Sequence, residues 1–522
     1  MQNKKQIILS IIAIVTLAIL VIGASFAYFA AQGNTSAQTS ATVKTYTVDV
    51  FSFKTGNPIS FSLNQENFAS GKGNQTGSTF AKAILTANNK TNTATEHYYM
   101  YLNISENTFT YTQNENTPEI LLTITDGTNP VTNITSLTYK TVTDGKGNSI
   151  SGYDITNKTG LIELFSNREI TTTSTKTENW NITVTFINYN LDQSANAGNT
   201  FSGKVLIQKE EYKQTLAEYV ISQYTRTQGE NGIYYHNSSL ANGAGDNSYR
   251  YAGANPNNFV CFGSTTSPCP TDNLYRIIGV FGESYHGVSG KQLVKLIKYD
   301  YANSNLLGTD GDYANSKTPD ATYYKGSLTS LNTYYWNYKA TKKNTWSTSL
   351  LNKTNLNTNF INNIGTTWAN KIAIVTWKVG GNTAANIYSK TPSVAYQNEV
   401  VNPTPGSYSK ETEYSAKIGL MYASDYGFAA VPEAWTTTLY NYGGSVNGAT
   451  IRSQNWMYMG NYEWTISRRA DYSDRAFYVY YGGNVDDNYV GYDYAVRPSF
   501  SLLSSINYVS GSGSMSDPIV IN

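Results

Sequence analysis

Apolar and polar positions divide the chain into three regimes. From Ile7 to about Ala31 no charged side chain occurs and most positions are apolar, directly after Lys4 and Lys5. At about 1.5 Å per residue, such a helix spans a bilayer core of about 30 Å. The lysine pair is expected to stay on the cytoplasmic side, which places everything downstream outside the cell. The stretch exceeds a typical signal-peptide apolar region. Ser25-Phe26-Ala27 nevertheless offers small residues for cleavage after Ala27. A retained single-pass anchor over residues 1–32 is expected, with secretion after cleavage near Ala27 as the alternative. The polar run GNTSAQTSAT that follows argues against a buried core helix.

From Thr45 to about Gln208 the period becomes two. TYTVDVFSF, HYYMYLNIS, EILLTITD, NWNITVTFIN and GKVLIQ are short and rich in β-branched and aromatic residues. Trp180, Ile182, Val184 and Phe186 alternate with Asn181, Thr183 and Thr185, which assigns the two sets to opposite strand faces. Turns such as TDGTNP and TDGKGN separate the runs. The pattern predicts an all-β antiparallel sandwich over 33–209, with a core module of roughly 150–170 residues. Its expected role is structural. At Glu210–Tyr224 the period shifts: Leu216, Tyr219, Val220 and Tyr224 share one helical face. This predicts a connector helix and linker over 210–230.

The third regime, 231–522, mixes strand-like runs (LYRIIGVF, VKLIKYD) with one helix-like segment, WSTSLLNKTNLNTNFINNI, and long Gly-, Asn- and Tyr-rich loops.

Composition narrows the function. Charged residues are 14% of the 522, and the net charge is +1. Average soluble chains carry about a quarter charged residues. No one-sign field is available for nucleic acid, and no nucleic-acid partner is expected. The 44 tyrosines supply rigid contact area with a hydrogen-bonding tip. Cys261 and Cys269 are the only cysteines, and a disulfide between them is expected in an oxidising compartment. His97, His236 and His286 stand in no triad or metal pattern. Asp310 with Asp312, and Asp486 with Asp487, lack the spacing of a calcium loop. No cofactor, no metal and no enzymatic activity are expected.

Two resemblances bear on this reading. IGASFAYFAAQ is similar to the start of TasA- and camelysin-like surface and biofilm-matrix proteins of Gram-positive bacteria, which favours processing near Ala27 and agrees with a sandwich. LYRIIGVF, the W-S-x-S-x-L-N segment, WTISR and VRPSFSL, in that order, resemble a bacterial surface domain of C-type-lectin-like and formylglycine-generating-enzyme-like fold. The resemblance implies an α+β domain over 231–522, with short antiparallel strands, one or two helices and long loops. The cysteine positions do not match those of the enzyme, and the calcium–sugar signature of lectins is missing. Lectin-like domains also serve as targets of diversity-generating retroelements, whose output resembles the Tyr/Asp/Asn-rich C-terminal segment.

Aromatics and arginines anchor interfaces, and Tyr, Ser, Gly and Asn dominate antibody paratopes. The candidate ligand-binding residues are therefore Arg468, Arg469, Asp471, Tyr472, Asp474, Tyr478, Tyr480, Asp486, Asp487, Asn488, Tyr492 and Tyr494. Trp464, Phe477, Val479, Val496 and Phe500 are assigned to the core, and Arg497 to tying down a loop. The sequence points to a membrane-anchored surface receptor or adhesin, with an extracellular protein or glycan as partner. A structural matrix or fibre subunit is the alternative.

Overall fold

The computed structural model describes residues 49–68, 71–88, 92–282, 290–309, 324–328, 331–337 and 343–522. The expected membrane segment, Ala27, His286, Asp310 and Asp312 lie outside them. Among the described residues no helix is long and apolar enough to cross a membrane. The chain is β-rich with few helices and divides into two units, between Tyr212 and Lys213.

The first unit contains two antiparallel sheets. One places Val50–Thr55, Gln75–Thr86, Thr175–Phe186, Ile120–Asp126, Ser149–Asp154 and Tyr139–Thr143 side by side, with Asn129–Pro130 flanking Ile120–Asp126. The other runs Ile59–Ser62, Thr200–Gln208, Ala94–Asn107, Gly160–Thr172. Alternation fixes which face is buried, because a one-residue slip would turn every side chain over. Trp180, Ile182, Val184 and Phe186 all face inward, and share one core with Ala81, Ala83 and Leu85 and with Tyr98, Met100, Leu102 and Val205 of the second sheet. Two sheets thus close on one core, as period two predicts. The buried Glu178 is fully engaged: it accepts from Tyr98 Oη at 2.6 Å and Arg168 Nε at 2.9 Å. Trp180 Nε1 donates to the same Tyr98 oxygen at 2.9 Å, so the polar tips of two core aromatics are satisfied together.

The second unit starts earlier than its expected boundary at residue 231. Its first helix covers Leu216–Ser222, not Glu210–Tyr224. Thr215 and Glu218 form a reciprocal capping box that starts the helix there. The start of the helix pairs with the 506–508 segment: Leu216 N donates to Ile506 O at 2.7 Å, and Tyr508 N to Gln214 O at 2.9 Å. This helix therefore belongs to the second unit and is not a free connector.

The main sheet of this unit orders Ile233–Tyr235, Tyr249–Tyr251, Leu274–Phe281, Leu293–Lys298, Ser499–Ser501 and Ile418–Gly419, with Phe259–Cys261 beside Leu274–Phe281. Leu274–Phe281 and Leu293–Lys298 are buried at every position, Arg276, Lys295 and Lys298 included. A smaller sheet carries Gly381–Asn382, Glu463–Arg469, Arg475–Val479 and Val485–Tyr489. The helix-like segment at Trp346 is less regular than its spacing implies. It opens with a 3₁₀ turn at Trp346–Thr348 and widens into a π-helix over Leu351–Phe360. Side-chain amides account for the departure. Asn355 and Asn359 both donate to Leu307 O, at 2.8 and 2.9 Å, and Asn357 donates to the Asn352 and Ile418 carbonyls. Such bonds compete with the regular ladder and mark π-type insertions.

Cys261 and Cys269 form a disulfide, with Cα atoms 5.8 Å apart. In the chain-entropy picture, closing so short a loop contributes about 2–3 kcal/mol. Replacing both cysteines by serine is expected to cost that amount in denaturant unfolding. An unchanged midpoint would show that the loop is held by its packing alone.

Candidate functional site

The candidate residues cluster on the smaller sheet of the second unit. Its hairpin pairs Arg475 with Tyr489, Phe477 with Asp487 and Val479 with Val485. Alternation sends Arg475, Phe477, Asp487 and Tyr489 to one face, and Tyr478, Asp486 and Asn488 to the other.

The first face is a charged and aromatic clamp. Asp487 accepts from Arg469 Nη1 and from Arg475 Nη1, each at 3.0 Å. Asp471 accepts from Arg469 Nε at 3.0 Å and also from Arg469 Nη2. This ion pair holds the Asp471 carboxyl below its ordinary range. The Arg475 guanidinium lies over Tyr489 at 4.4 Å and over Tyr472 at 5.1 Å, and Arg469 lies over Tyr472 at 4.3 Å. Two arginines and two aspartates leave no net charge. Tyr472 and Tyr489 remain 47% and 45% exposed. The arginines fix the rings, so ring faces are presented to solvent without the entropy of loose side chains.

The second face is an aromatic array. Tyr462 stacks on Tyr494 at 5.1 Å and meets Tyr480 edge-on at 5.1 Å. Tyr494 also contacts Trp464 at 4.5 Å and Tyr478 at 4.7 Å, and its hydroxyl accepts from Asn488 Nδ2 at 2.6 Å. Burial pushes the half-buried Asp486 carboxyl up. Tyr492 and Tyr481, each 49% exposed, extend the array into solvent, and the Tyr492 ring meets Tyr489 at 6.1 Å, so the two sets of rings join at that edge.

Three of the residues expected to meet a ligand are instead buried. Arg468 is 1% exposed and donates to the carbonyls of Val379, Ser409 and Glu411 at 2.7, 3.2 and 2.8 Å, so it holds backbone segments together. Tyr478 sits between Trp464 and Tyr494 as part of the aromatic core. Asp487 is the buried anchor for two arginines and offers nothing to a ligand directly. Asp471, Tyr472 and Tyr492 are exposed, whereas Arg469, Asp474, Tyr480, Asp486, Asn488 and Tyr494 are partly buried. Trp464, Phe477, Val479, Val496 and Phe500 are buried, and Arg497 pairs with Glu463. Tyr481, Tyr489 and Arg475 were missed as site members. Tyr489, the last residue of its strand, lies opposite Arg475, the first of the neighbouring strand, a pairing set by the hairpin turn and not by the period within either strand.

A separate cleft of about 400 Å³ opens between the first helix and the 252–257 loop, lined by Tyr219, Asn231, Asn255, Asn257 and Ser512. Among the described residues no group of three or more His, Cys, Asp or Glu side chains could hold a metal ion. The chain matches no family model, no curated protein and no solved structure.

Proposed function

We propose that the protein is a single-pass bacterial surface receptor or adhesin. Residues 7–31 lie in the membrane, the sandwich-type first unit acts as a stalk, and the second unit is a lectin-like binding domain outside the cell. The observation that carries this reading is the small sheet of the second unit, where Tyr472, Tyr481, Tyr489 and Tyr492 stand exposed and Arg475 is held between two of them. Exposed aromatic faces backed by a neutral ion-pair cluster suit the C–H faces of a sugar or the apolar side chains of a protein. Hydroxyl tips then supply directional hydrogen bonds. The ligand is an extracellular glycan or protein, and no catalytic chemistry is assigned.

The full chain in detergent or nanodiscs should bind members of a glycan and protein panel. Tyr472→Ala, Tyr489→Ala and Tyr492→Ala should each weaken binding about tenfold or more, the scale of an interface anchor. Affinities unchanged in all three variants would move the binding face elsewhere. Silence across a broad panel would remove the receptor reading.

A further inference from the structure

The deepest polar group of the second unit has no place in that binding face. Lys295, in the strand Leu293–Lys298, is 2% exposed, and its Nζ lies 2.6 Å from Oδ2 of Asp425. Three rings enclose the amine: Tyr422 at 4.5 Å, Trp377 at 5.2 Å and Phe281 at 5.8 Å. Asp425 lies in the first turn of the helix Ala423–Phe428, and its Oδ2 also accepts from Tyr422 N at 3.0 Å. Arg250 Nη1 approaches Oδ1 at 3.4 Å, while its Nη2 is held by Asp246 at 2.8 Å. Glu399 is also 2% exposed. Its Oε1 accepts from Ser424 N at 2.7 Å, one residue before Asp425, and its Oε2 bonds Ser467 Oγ at 2.6 Å. Burial raises the Glu399 carboxyl to about 7 and lowers the Lys295 ammonium.

An amine and a carboxyl in contact inside an aromatic shell are in an unusual chemical situation. Low polarity favours the neutral amine–acid pair over the ion pair. Fixed contact supplies the effective molarity that makes an intramolecular condensation fast. Glu399 is tied to the backbone of Ser424, the residue before Asp425, and its buried carboxyl, raised to about 7, interacts through charge with both Lys295 and Asp425.

We propose that Lys295 and Asp425 condense to an intramolecular isopeptide bond, with Glu399 as the residue that holds and passes the proton. The Lys295 ammonium first gives a proton to Asp425. The free amine attacks Asp425 Cγ, the C–N bond forms and one carboxyl C–O bond breaks. Glu399 protonates the departing oxygen and regains a proton from the nitrogen. Ammonium and carboxylate become one amide and one water, with no oxidant or co-reactant. The remaining carbonyl oxygen keeps its place beside Arg250, whose charge is still matched by Asp246. The bond joins a central strand to a helix 130 residues away in sequence.

Peptide mapping of the full chain by mass spectrometry tests this. Digestion is expected to release one branched peptide containing both Lys295 and Asp425, lighter than its two parts by one water. Recovery of the two residues in separate, unmodified peptides overturns the proposal. Lys295→Arg keeps the charge and must abolish the branched species. A water loss that persists in that variant also overturns it. Glu399→Gln keeps the shape but holds no exchangeable acid proton. A chain with unchanged circular dichroism should be recovered unlinked, with Glu399→Asp partly restoring the link. Full linkage in Glu399→Gln would remove Glu399 from the reaction.

Discussion

Glu463→Leu is expected to lower the unfolding free energy of the second unit by about 3–5 kcal/mol, the cost of stranding a buried charge. Arg497 and Glu463 meet with side chains 0% and 2% exposed, Nε to Oε1 at 2.7 Å and Nη2 to Oε2 at 3.0 Å. Arg497 Nη2 also donates to Met457 O at 2.6 Å. The pair clips the strand Glu463–Arg469 of the small sheet to the segment leading into Ser499–Ser501 of the main sheet. Leucine preserves most of the volume, so the measured loss reports the uncompensated guanidinium rather than a cavity. The double variant Glu463→Leu/Arg497→Met should recover much of it, because a buried ion pair exchanged for packed apolar groups is often neutral. Denaturant unfolding of the three variants makes the comparison. A single variant within about 1 kcal/mol of the parent would mean that water reaches the guanidinium.

Stability should be nearly flat between pH 4.5 and 6.5 as far as two buried groups are concerned, because they pull in opposite directions. Burial lowers His236 from 6.5 to about 3, with the positive Arg250 adding to the effect. Its ring lies against Phe428 and Trp435, and Nδ1 accepts from Ala244 N at 3.0 Å, which only an unprotonated nitrogen can do. The depressed value means that stability from this group is complete above pH 6.5 and is lost as the pH falls toward 3. Glu399 is raised from 4.5 to about 7. Its contribution is complete below pH 4.5 and is lost as the pH rises toward 7. In the shared window each slope is about 1.4 kcal/mol per pH unit, with opposite sign. Glu399→Gln should therefore expose a stability that climbs with pH, and His236→Gln one that declines. Urea unfolding at pH 4.5, 5.5 and 6.5 reads both slopes. Two flat profiles would show that neither group titrates as its burial implies.

How far these features were legible depended on whether their cause was local. The first unit was readable because Trp180, Ile182, Val184 and Phe186 record a period-two burial that no distant contact overrides. The disulfide was readable because both cysteines sit in one short loop. Arg468 was misplaced for a specific reason. The pairing of Glu463–Arg469 with Arg475–Val479 slips between Trp464 and Arg468, so counting alternate residues from the buried tryptophan does not assign the two arginines to faces. Alternation puts Asp486 and Asp487 on opposite faces, but which face closes over Arg469 and Arg475 is set by other strands, and local sequence does not contain that information. The asparagines that widen the 351–360 helix act through carbonyls at Leu307 and Ile418, which spacing alone could not reveal.

The second unit begins and closes on the same seam. Leu216 and Gln214 bond the backbone of Ile506 and Tyr508, and the rings of Tyr219 and Tyr508 stack at 3.8 Å. Tension applied to this unit through Lys213 would reach that seam before any inner strand. Antiparallel backbone bonds and a stacked ring pair would then resist in concert, and peeling of the closing segment becomes the first mechanical failure. Single-molecule extension should show a small early step from this latch, which Tyr508→Ala would bring to lower force.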